Sequence, residues 1–177
     1  MYDHLPPQNP HYLFNTMNQP QRKHIRLPDY DYSSAGAYFI TICAKDKQHL
    51  FSEITLTEAG IVLPILTLIG KIAEEQLKAL TERYPHVSVA HYVIMPDHIH
   101  MILHFQSHVD DPAPRADLKA ILCAYKSLTT RAIKQQYPQI SAVFQTSFFE
   151  HVIRNRQDYE EKEQYIRNNP AKWYYER

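Results

Sequence analysis

Val87-Ser-Val-Ala-His-Tyr-Val-Ile-Met95, Pro96-Asp97 and His98-Ile-His-Met-Ile-Leu-His-Phe105 follow one another without a break, and their alternation decides the fold. Both flanks are rich in β-branched and aromatic residues and read as strands. Proline presets the backbone angle at Pro96-Asp97, which reads as the turn of a hairpin. Successive side chains of a strand point to opposite faces. Ile99, Met101, Leu103 and Phe105 therefore share a face that packs on helices, and His98, His100, Ile102 and His104 share the other. His98 and His100 stand roughly 6.6 Å apart along the strand at about 3.3 Å per residue, near enough for both imidazoles to reach one metal ion. Neutral imidazole suits manganese, zinc, iron or nickel, and magnesium less well. Taken alone the pair has two readings, a metal site or half-exposed histidines without a ligand. His104 lies roughly 13 Å beyond His100 by the same rise and is left out of the site.

Outward from this hairpin the chain alternates strands and helices. Tyr38-Phe-Ile-Thr-Ile-Cys-Ala44 reads as an earlier strand. Thr57 to Leu80 reads as a long helix, with Ile65, Leu68, Ile69, Ile72 and Leu80 near helical spacing. A loop holding Asp110, Asp111, Pro112 and Pro114 leads to a helix over about Arg115 to Gln136, whose Leu118, Ile121, Tyr125, Leu128 and Ala132 line one face. A short strand is expected around Phe148 to Ile153. The last helix is expected to start near Asp158, with Asp158 as cap, Glu161 in capping-box position and Pro170 limiting its far end. The order β-α-β-β-α-β plus a terminal helix implies an α+β, ferredoxin-like antiparallel sheet with helices on one face.

Composition sets outer bounds. The chain has 177 residues, 44% of them hydrophobic and 21% charged, which suits one soluble globular domain. Residues 1–21, rich in Pro, Asn and Gln, read as a flexible lead-in, and residues 22–177 as a single domain. Nothing at the start reads as a signal peptide, and the apolar run near Ile61 to Ile69 is too short to span a bilayer. The two cysteines, Cys43 and Cys123, form no disulfide framework and suit a reducing cytosol, so a cytoplasmic protein without membrane association is expected. With 19 basic and 19 acidic side chains there is no general attraction to nucleic acid, so any such binding rests on local patches.

Tyr165 and Asn169 are four apart on the last helix and neighbour each other on one face. They could serve as nucleophile and metal ligand, or simply pack and end the helix. Met95-Pro-Asp-His-Ile-His-Met-Ile-Leu103, Phe149-Glu-His-Val-Ile-Arg-Asn155 and Tyr165-Ile-Arg-Asn-Asn-Pro170 together resemble the REP-associated tyrosine transposases, of the single-tyrosine HUH (IS200-like) family. Arg26-Leu-Pro-Asp-Tyr-Asp-Tyr32 and Tyr38-Phe-Ile-Thr-Ile-Cys43 resemble that family's first strand and its approach. The resemblance runs from about residue 22 to 174. It implies that the terminal helix is catalytic, with Tyr165 as nucleophile, and that His98, His100 and Asn169 hold a divalent metal ion, magnesium or manganese. Related transposases use glutamine where Asn169 stands, and Phe144-Gln145 replaces an expected Trp-Gln pair. The implied partner is single-stranded or hairpin DNA, with a monomer favoured over a homodimer.

The implied chemistry is coherent. A free tyrosine has a pKa near 10, so about neutral pH it is mostly a poor nucleophile. A divalent cation polarises the scissile phosphate and stabilises the charge that builds during attack. The phosphotyrosyl ester conserves the energy of the broken bond, so rejoining needs no nucleotide cofactor. Arg115, Lys119 and Lys126 fall within about 40° on a helical wheel at about 100° per residue and are candidates for backbone contacts, as is Arg154. A solvated helix face is the other reading of the first three. Two further functions stay open. One is a non-catalytic DNA-hairpin-binding protein of the same fold. The other is an unrelated zinc protein, which would need a third strong ligand that no familiar spacing offers.

Overall fold

The computed structural model describes residues 31–107 and 116–176. The lead-in, the approach up to Tyr30 and Arg115 lie outside the described residues. The elements are β1 (Gly36–Cys43), β2 (Ser52–Leu56), β3 (Val62–Leu66), α1 (Leu68–Lys78), the single turn α2 (Leu80–Arg83), β4 (Val87–Ile94), β5 (His98–Phe105), α3 (Leu118–Gln136), β6 (Phe149–Ile153) and α4 (Arg156–Tyr175). Four strands form one antiparallel sheet in the order β4-β5-β1-β6. That is the split β-α-β order expected from the sequence. The hairpin β4–β5 turns at Pro96-Asp97, where the Met95 N–H donates to the His98 carbonyl at 2.8 Å.

Three local expectations are corrected. The helix expected from Thr57 starts only at Leu68, because residues 52–66 form the separate hairpin β2–β3. Gly60 turns that hairpin at φ 76°, a left-handed conformation that a helix cannot contain. Thr67 then caps α1, accepting from the Gly70 N–H at 3.0 Å. Gly70 lies so close to the hairpin that a Cβ there would stand 1.9 Å from the Phe51 carbonyl oxygen. In α4 the cap is Asn155, which accepts from the Asp158 N–H at 2.9 Å. Asp158 instead bonds the His151 ring at 2.8 Å, and Glu161 takes the Gln157 side chain at 3.1 Å. Pro170 does not end α4, which continues to Tyr175. An interior proline costs about 3 kcal/mol or more. The turn beyond it carries Trp173, whose ring packs on His49 and His98 at 5.6 and 5.9 Å between centroids, and this packing offsets the cost.

The sheet is covered on both sides. Tyr38, Ile40, Ile42, Ile99, Met101, Leu103 and Phe105 face α1 and α3 and form the main core with Ile72, Leu77, Ile121, Leu122 and Tyr125. The alternate residues Phe39, Val93 and Ile102 meet Met95 and Ile166 in a smaller cluster under α4. The terminal helix thus lies on the face that carries the histidines.

Candidate active site

Cross-strand register assembles the site. On the α4 face Thr41 stands opposite His100, and Cys43 opposite His98. His98 Nδ1 is 2.5 Å from Asp97 Oδ1, and His100 Nδ1 is 2.8 Å from Thr41 Oγ1. Each ring is therefore oriented through Nδ1, which turns Nε2 away from that partner. His100 Nε2 is buried without a hydrogen-bond partner. The two rings lie 4.5 Å apart between centroids. Burial holds both imidazoles below the usual histidine range, His98 against the opposing pull of Asp97, and His100 down to about 3 with the neighbouring His98 adding to the effect. Both rings are accordingly neutral near pH 7, the form that binds metal.

From α4, Tyr165 stacks edge-on to His100 at 5.1 Å and to Phe39 at 5.9 Å. It is 43% exposed, so its ring is held while a wide face stays open. Asn169, one turn further along, is buried and hydrogen-bonds toward His98. An open cleft of about 270 Å³ lies beside His98, lined by that ring with Tyr165, Asn169, Lys172, Trp173 and Glu176. The two neutral imidazoles, the orphaned Nε2 and the amide oxygen of Asn169 fit a borderline divalent cation with positions open for phosphate oxygens. Among the described residues no group of three His, Cys, Asp or Glu side chains converges on a metal position.

The other expected residues separate from this group. His104, left out of the site on its spacing, packs on Tyr159 at 5.4 Å, toward the other end of α4. Lys119 is exposed on α3, beyond the opposite face of the sheet. Lys126, also on α3, donates to the carbonyls of Gln145 and Thr146 at 2.6 and 2.8 Å, so its ammonium ties down a loop. Burial also lowers the pKa of Lys126. Neither lysine reaches the histidine face. Arg154 is exposed at the end of β6, one residue before the cap of α4.

Sequence reasoning missed four participants. Asp97 reads as a mere turn residue, although an acid beside a ligand-type histidine is a signal for its orientation. Thr41 was visible only once β1 and β5 were in register. Trp173 lay past a proline that was expected to stop the helix. Lys47, whose ammonium stands 3.6 Å from Asp97 Oδ2, comes from a turn in which Asp46 and Lys47 both take positive φ.

An oriented histidine pair on an antiparallel sheet, faced by a tyrosine on a terminal helix, defines a class that a family comparison identifies. The model of the IS200-like transposases matches residues 33–169, and the chain belongs to that family of DNA-processing enzymes. An uncharacterized protein of Haemophilus influenzae is 31% identical over 166 residues, covering 86% of this chain and 89% of that one. A second protein of the same organism, provisionally named a REP-associated tyrosine transposase, is 29% identical over 146 residues, covering 80% of this chain and 74% of its own. The solved structure of a REP-associated tyrosine transposase bound to a REP hairpin shares the fold, with TM-score 0.58 and 22% identity over 84% of this chain and 73% of that one. Among the described residues no helix is long and apolar enough to cross a membrane.

Proposed function

We propose that this chain nicks and rejoins single-stranded, hairpin-bearing DNA through a covalent link to Tyr165. The observation that carries the reading is the meeting of Tyr165 with His100 at 5.1 Å, beside a buried imidazole nitrogen that no protein group satisfies. His98, His100 and Asn169 would hold a divalent metal, magnesium or manganese. Such an ion supplies Lewis-acid polarisation of the scissile phosphate. Tyr165 supplies the nucleophile. Its oxygen forms a bond to phosphorus, the bond from phosphorus to one DNA end breaks, and that end leaves as a hydroxyl. Attack by another hydroxyl reverses the exchange and frees the tyrosine, so no external energy source is needed. Asp97 and Thr41 fix the rings, which keeps the ligand set in place before DNA arrives. A hairpin in the substrate is supported by the relative whose structure holds a REP hairpin. Lys172, which lines the cleft with Tyr165, and the exposed Arg154 are basic groups available to meet the backbone.

The test uses labelled single-stranded DNA carrying a hairpin from the repeats of the protein's own genome, with manganese or magnesium, read on a denaturing protein gel. A covalent protein–DNA band in the wild type, lost in Tyr165→Phe and His100→Ala, is the expected result. Hairpin binding with no band under any divalent metal would leave a non-catalytic hairpin-binding protein of the same fold. A band that survives Tyr165→Phe removes this tyrosine as the nucleophile.

A further inference from the structure

Tyr165 is a wall shared by two cavities. On one side lies the cleft lined by His98 and Asn169. On the other lies a cavity of about 350 Å³, lined by Phe39, Phe149, His151, Glu161, Lys162 and Tyr165. The transfer chemistry as proposed uses only the first. The second is built by β6 and the first turns of α4. Phe149 and His151 occupy alternate positions of β6 and so point to the same face as Phe39, which His151 faces across the strands.

The lining has a definite chemistry. Phe149 is 44% exposed. With Phe39 and Tyr165 it makes aromatic walls. The rim is polar and held in place. His151 bonds Asp158 at 2.8 Å, Lys162 stands 3.6 Å from the same carboxylate, and Glu161 accepts from Gln157 at 3.1 Å. An open aromatic face with fixed donors and acceptors around it matches a planar heteroaromatic ring. Stacking uses the ring's face, and the rim meets its edge. A carboxylate such as Glu161 accepts from an exocyclic amino group, and Lys162 on the same rim donates to a ring acceptor.

We infer that this second cavity receives the nucleobase adjoining the phosphate that Tyr165 attacks, stacked on Phe149. The inference rests on the proposed function, since it needs the strand to pass over Tyr165. The division of labour is then simple. The cleft lined by His98 and Asn169 takes the phosphate, and the base next to it turns into the aromatic cavity across the tyrosine ring. Seating that base fixes the backbone on both sides of the scissile bond and restricts where along the strand attack occurs.

The experiment places 2-aminopurine at successive unpaired positions flanking the hairpin of the same repeat DNA and reads its fluorescence on binding. Tyr165→Phe is the parent protein, because it keeps the wall and leaves the strand uncut. One position is expected to lose fluorescence on binding. Adding Phe149→Leu should remove most of that quenching, and adding Phe149→Tyr should preserve it, since leucine keeps apolar bulk and only the ring stacks. An abasic residue at the same position should weaken binding to the parent roughly ten-fold and leave Phe149→Leu unaffected. Quenching that is the same in Phe149→Leu as in the parent overturns the inference, as does an abasic penalty equal in both proteins. The gel assay reads the proposed chemistry separately. A covalent band with no Phe149-dependent position sinks the base site alone. A Phe149-dependent position without a band shows a base stacked in the cavity but removes the chemistry, and with it the attacked phosphate that the base was inferred to adjoin. DNA that does not bind at all removes both.

Discussion

Met101 and His100 are neighbours in β5 and share almost none of their surroundings. Met101 is fully buried among the apolar side chains of α1 and α3. His100, also buried, looks the other way, onto Thr41, Phe39 and the tyrosine of α4. The same contrast runs along the whole sheet. One face carries a continuous apolar core, and the other carries a small apolar cluster around two oriented imidazoles. A core tolerates few defects in volume, whereas a site requires polar atoms without protein partners. Placing them on opposite faces of the same strands lets each follow its own rule, and the shared backbone keeps both rigid.

Substitutions on the two faces should separate stability from activity. His100→Ala is expected to abolish the covalent DNA band while the protein still folds, and a band of ordinary strength would break the comparison at its centre. Met101→Ala should cost about 2–5 kcal/mol of unfolding free energy, measured by denaturant titration, with band yield per folded molecule unchanged. Acid should act through the histidine face. Both imidazoles are depressed in the folded protein, so below about pH 6.5 the unfolded chain binds protons first and stability falls as pH drops toward the His100 value of about 3. Melting of metal-free protein across that range should show the fall, and His100→Gln should flatten it. An unchanged slope would place the acid sensitivity elsewhere.

Smaller effects sharpen the picture at the edges. Asp97→Asn keeps the shape but removes the charge that orients His98, and should weaken metal affinity by roughly 10–100-fold in a calorimetric titration. If affinity holds, Asp97 serves the turn alone. Asn155→Ala removes the cap of α4 and should lower stability by about 1 kcal/mol. Because α4 carries Tyr165, the cleavage position should also become less uniform on a sequencing gel.

Some of this was legible in sequence for a physical reason. Alternation along His98–Phe105 is a property of any strand, so the two histidines were bound to share a face opposite Met101 whatever surrounded them. Tyr165 and Asn169 were likewise bound to be neighbours once a helix formed. The four strands of the main sheet and the helices between them followed from the same local periods, without the β2–β3 hairpin. Where local rules compete, sequence reading failed. Apolar residues between Ile61 and Ile72 satisfy helix and hairpin alike, and the close approach of Gly70 to Phe51 belongs to the packed state alone. Pro170 looked like a stop because its cost is local, while the packing of Trp173 that offsets it comes from residues distant in the chain. Only the tertiary structure decided that α4 crosses the histidine face, that Thr41 stands opposite His100, and that Lys126 is tied to a loop behind the sheet. Periodicity fixes which side chains share a surface. Which surfaces meet depends on long-range register and burial, and no stretch of sequence contains that by itself.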